Sequence, residues 1–182
     1  MKKGEAVAKI FGVPYEKVSK IVFELDEYIK KNIPKDTTYA EARRKLDKYV
    51  KEKYKGRDYY LALALEIGFF VDRVTRKAVL IYPEVRKELC EALLLNIVGP
   101  YAPEDFDNVM KDLLGISVRE FGKMCKKAQA VLTNYVMRNF EGISQAFDSD
   151  TERAIAATLF LLVDAVADVP AEATVIRQTV PA

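Results

Sequence analysis

The chain has 182 residues, half of them apolar, with 29 Lys and Arg, 27 Asp and Glu, and neither His nor Trp. That length and apolar content support a buried core without covalent staples, while the lack of His and of a Gly-rich phosphate loop removes the commonest general base and nucleotide cradle. Charge is unevenly placed: residues 1–60 carry 16 Lys and Arg against ten Asp and Glu, a net +6, and residues 61–182 sum to −4. A basic segment of this kind is expected to meet a polyanion.

Taken along the chain, helical signals dominate. The opening MKKGEAVAKIFG has basic residues but no uninterrupted apolar run, so no secretory signal is expected. Residues 5–22, EAVAKIFGVPYEKVSKIV, have helix-turn-helix spacing: Ala8 where helices approach, Gly12 at the turn, and Val18 and Ile21 packing a second helix. The same spacing arises wherever two helices pack around a tight turn. In the first case Tyr15, Glu16, Lys17, Ser19 and Lys20 face outward, flanked by Lys2, Lys3 and Lys9. The second helix runs to about Asn32 through Glu24, Asp26 and Glu27, and its first turns lack Asn, Gln and Arg. Contact there is expected to position the protein on a duplex rather than read its bases.

Thr38 with Glu41 starts the next helix, over 39–55. At 100° per residue, Arg44, Lys48, Lys51 and Lys55 form a cationic ridge about 16 Å long, with Ala42, Leu46, Tyr49 and Val50 on the docking face. Arg43 and Arg57 belong to the same basic run. Tyr39, Tyr49, Tyr54, Tyr59 and Tyr60 either pack beneath these cations or stack on bases, packing being favoured. Further helices are expected over 59–81, 84–98, 103–113, 117–139 and 150–168. Ser117 with Glu120 and Ser149 with Glu152 supply caps, Pro14, Pro83 and Pro103 first-turn positions, and Gly56, Gly99 and Gly115 ends.

The fold is therefore expected to be all-α: a basic front over 1–57, an apolar helical bundle over 58–169 and an extended tail over 170–182. The 59–81 helix is expected at its centre. Ala154–Val163 is too short to span a membrane and reads as a buried helix. Cys90 and Cys125 read as small buried residues rather than a disulfide. No Ser lies in a G-x-S-x-G setting, and Asp105, Asp107 and Asp112 lack the Gly and Glu of a calcium loop. No catalytic, cofactor or metal role is expected.

A short basic helical front, an apolar bundle and an extended tail resemble, in architecture, the coat proteins of rod-shaped and filamentous viruses of hyperthermophilic archaea. The resemblance implies double-stranded DNA wrapped without sequence reading, bundles in contact with homo- or hetero-oligomeric neighbours, and a place in the virion. It would turn Lys2, Lys3, Lys9, Lys17, Lys20, Arg43, Arg44, Lys48, Lys51 and Lys55 toward DNA. The alternative from the residues is a cytoplasmic helix-turn-helix regulator with a helical dimerisation domain. A helical subunit whose basic front meets an acidic protein is the third reading.

Overall fold

The computed structural model describes residues 2–70, 75–77, 86–162 and 176–178. Among them the chain is built from α-helices packed on one another. α1 (Lys3–Phe11) ends at Gly12, whose φ of 66° is the left-handed geometry that closes a helix and that glycine adopts without strain. Pro14 then caps α2 (Tyr15–Asn32), standing one place before the first turn in which it was expected. Thr38 accepts a hydrogen bond from the Glu41 amide to open α3 (Tyr39–Lys53). Gly56 lies ahead of α4 (Arg57–Leu65), so it precedes a helix instead of following one.

After Leu65 the chain widens into a π-helical turn, Glu66–Phe70. The helix expected over 59–81 therefore changes character well before its predicted end, and Thr75–Lys77 is a short strand, β1. Gly68 lets this turn approach its neighbour: a Cβ there would lie 2.6 Å from Leu161 Cβ. Val74, Ala78, Ile81 and Pro83 lie outside the described residues. The remaining helices are α5 (Arg86–Val98), α6 (Phe106–Leu114, led by a 3₁₀ turn at Pro103), α7 (Val118–Tyr135) and α8 (Asp150–Leu162). Ser117 and Glu120 form the reciprocal capping box in full. The Glu152 amide donates to Ser149 Oγ, but its carboxylate accepts from Asp148 N, one residue earlier than the pattern predicts.

α8 is the hub. It packs against α1, α4, α5, α7 and the π turn, and every residue from Ala154 to Leu162 is buried. That bears out the buried-helix reading over Ala154–Leu162, Val163 lying outside the described residues, and Leu61–Leu65 of the segment expected at the centre are buried as well. One hydrophobic cluster runs from Ala6 to Leu162. The basic front and the apolar back thus share a core, with α1 contributing Ala6, Val7, Ala8, Ile10 and Phe11 to it.

Two features depart from the sequence reading. Cys90 of α5 and Cys125 of α7 have Cα atoms 5.9 Å apart and form a disulfide. A separation of 35 positions hid a pairing that helix packing alone creates. In the C-terminal stretch, Ile176–Gln178 forms β2, antiparallel to β1 with Arg76 opposite Arg177. The expected tail is extended at those three positions; its other residues, and 163–168 of the last helix, lie outside the described residues.

Candidate nucleic-acid interface

The 100° stagger of α3 sorts its charges into three strips. Arg43, Leu46, Asp47 and Val50 are buried, Arg44, Lys45 and Lys48 are exposed, and Lys51 is half-buried; Lys55, expected to close the ridge, lies beyond the helix end at Lys53 and is exposed. The tyrosines around them pack, as favoured from sequence. Tyr54 is buried and bonds Glu24, Tyr49 stacks on Tyr28 with ring centroids 4.0 Å apart, and Tyr59 donates to Leu113 O.

Arg43 is the clearest correction. It has no exposed surface and cannot meet a polyanion in this fold. Its Nε donates to Asp47 and to Glu66, each at 2.9 Å, and its Nη1 to Asn96 O. Tyr101 closes the cluster by donating to Asp47 at 2.6 Å. Burial opposes the guanidinium charge, but Asp47 and Glu66 outweigh it and hold Arg43 protonated. One cation faces two buried carboxyls, so one of them keeps its proton. It is Glu66: burial, then the Asp47 charge and a hydrogen bond to Asp47, push it well above the ordinary carboxyl range.

A stability dependence follows. The unfolded chain releases the Glu66 proton near pH 4.3, whereas the native chain keeps it, so stability falls as pH rises from there toward the native pKa. Glu66→Gln cannot ionise and escapes that loss. In urea melts between pH 4 and 8, the stability of the variant relative to wild type is expected to grow with pH. A constant difference would contradict it.

The exposed strip borders two depressions. One, of about 440 Å³, has Arg44, Lys48 and Lys51 on its α3 side and Asp105, Asn108 and Asp112 opposite. The other, of about 380 Å³, lies toward α2 and includes Lys45, Lys48, Tyr49 and Glu52. Lys48 therefore stands on the crest between them. No family model, curated protein or solved structure matches the chain. The site is accordingly read from its own chemistry.

That chemistry divides the expected contact residues by partner. Several cations of the front are drawn to acids of the back: Lys9 to Glu141 at 2.5 Å, Lys17 to Asp58 at 2.7 Å, Lys51 to Asp112, and Arg57 to Asp150 at 3.2 Å. Arg57 also donates to Phe11 O, tying α4 to the end of α1. Arg44 donates to Pro100 O and lies over the Tyr101 ring, and Lys55 caps the Lys51 carbonyl. Lys2, Lys20, Lys45 and Lys48 are exposed and make no ion pair with the described residues. Lys3 is half-buried and partnered; Tyr15 and Ser19 are exposed at the start of α2.

Glu24, Asp26 and Glu27 are paired with Lys53, Lys30 and Lys31. Lys45, left off the narrow ridge read from sequence, belongs to its exposed flank. Among the described residues no group of acids, His or Cys is arranged to hold a metal ion, and no helix is long and apolar enough to cross a membrane.

Proposed function

We propose that the chain is a non-enzymatic structural protein that binds double-stranded DNA through its phosphates, in the manner of a viral nucleocapsid or coat subunit. The observation that carries this reading is the cluster of exposed cations along the outer edge of α3 and just past its end, Arg44, Lys45, Lys48 and Lys55, of which Lys45 and Lys48 make no ion pair with the described residues. The Lys51–Asp112 pair beside them is partly exposed, and surface pairs of that kind are worth about 0–1 kcal/mol, so a phosphate can compete for Lys51. Phosphate neutralisation releases counterions and is indifferent to base sequence.

Two unrelated duplexes of equal length are expected to bind with the same affinity at low salt, and footprinting on long DNA to show continuous coverage. A helix-turn-helix regulator is the second reading. It is favoured by the left-handed turn at Gly12 and by the exposure of Tyr15, Glu16, Ser19 and Lys20 on the first turns of α2. A discrete palindromic footprint would decide for it.

A further inference from the structure

The outward face of α2 carries a large apolar side chain that the bundle does not cover. Phe23 is 63% exposed, midway along the helix. Residues 16, 23 and 30 repeat at seven-residue spacing on that face, with 19, 20, 26 and 27 between them, which is the spacing of a helix-pairing seam. The seam reads Glu16, Ser19, Lys20, Phe23, Asp26, Glu27, Lys30.

Its charges are arranged antisymmetrically about Phe23. If a second α2 runs antiparallel with Phe23 facing Phe23, residue i meets residue 46 − i. Glu16 then faces Lys30 and Lys20 faces Asp26, each pair occurring twice by the two-fold axis. A parallel arrangement sets Glu16 on Glu16, Lys20 on Lys20 and Lys30 on Lys30. Like charges so placed repel, which selects the antiparallel form. The Asp26–Lys30 pair within one helix is a surface contact, 2.8 Å long between well-exposed side chains, and can be shared with a partner at little cost.

We propose that this face is the interface of a two-fold symmetric homodimer, with Phe23 against its counterpart at the axis and Glu16–Lys30 pairs at its ends. The contact is one helix ridge from Glu16 to Lys30, roughly 21 Å long, so the dimer is weak and concentration-dependent. It withdraws Ser19 and Lys20 from nucleic acid and leaves the α3 edge free. It does not depend on DNA binding, and dimerisation is measured without DNA.

Sedimentation equilibrium over a wide concentration range is expected to show monomer passing to dimer for wild type and monomer alone for Phe23→Glu. Glu16→Lys and Lys30→Glu should each weaken the dimer by about tenfold, because two symmetry-related pairs become repulsive, and the double variant should restore it. Phe23→Cys should cross-link to a covalent dimer on oxidation, since Cys90 and Cys125 are already joined. Circular dichroism confirms that each variant is folded. A monomer at every concentration would overturn the proposal. So would a double swap no better than either single change. Loss of DNA binding by Phe23→Glu in a protein that stays monomeric would assign Phe23 to nucleic acid instead.

Discussion

Arg43→Ala is expected to lower the free energy of unfolding by about 3–5 kcal/mol, the range found when one partner of a buried ion pair is removed. The cost comes from what remains. Asp47, at 5% exposure, and Glu66 both lose their donor, and Asn96 O loses the Nη1 contact. Replacing Arg43, Asp47 and Glu66 together by apolar residues of similar volume should recover much of the loss, because no buried charge is then stranded. Guanidinium melts of both variants measure this. DNA affinity, measured where the Arg43→Ala protein is still folded, should be unchanged, since the side chain has no exposed surface.

The second large effect belongs to the disulfide. Cys90 and Cys125 are 35 residues apart, and closing a loop of that length removes about 4 kcal/mol of unfolded-state entropy in the chain-entropy treatment. Replacing both by Ala is expected to destabilise the protein by about 2–4 kcal/mol, and a reducing agent should produce a similar loss in wild type without affecting the variant. The bridge joins α5 to α7, two helices that also pack on α8, so its removal should loosen α5 before the rest of the bundle. Hydrogen exchange faster in α5 than in α1 or α8 would report that order.

These two sites mark where the sequence is legible and where it is not. Helix starts and ends are local chemistry, so Thr38, Ser117, Gly12 and Gly115 could be read directly and lie where their side chains and backbone freedom require. Burial of Arg43 had a local sign too: it precedes Leu46, Asp47 and Val50 by three, four and seven residues and so shares their stripe, with Asp47 one turn on as its partner. The arginine was instead grouped with its basic neighbours by composition. The π turn had a weaker sign in Gly68, whose need is set by Leu161, far along the chain.

Other features have no local sign at all. Lys9 and Glu141 are 132 positions apart, and nothing near either one announces the other. Charge counted along the chain measured the front as a surplus, whereas folding spends part of that surplus against the acidic back. Part of the basic third, including Lys2, Lys20, Lys45 and Lys48, remains without an ion partner among the described residues. Of the expected contacts, Arg43 is buried, Lys9, Lys17 and Arg57 each make a part-exposed ion pair with an acid of another element, and Lys45, not among them, is exposed.

The proposed contact with duplex phosphates is made by the exposed edge of α3 and by Lys55 just beyond it. Its most direct test is the salt dependence of binding to a random duplex, for wild type and for Lys45→Gln/Lys48→Gln/Lys55→Gln. Each phosphate contact contributes about −0.9 to the slope of log K against log salt, so losing three should make the slope shallower by about 2.7. That change is expected together with weaker binding on every sequence tested. An unaltered slope in the folded triple variant would contradict it.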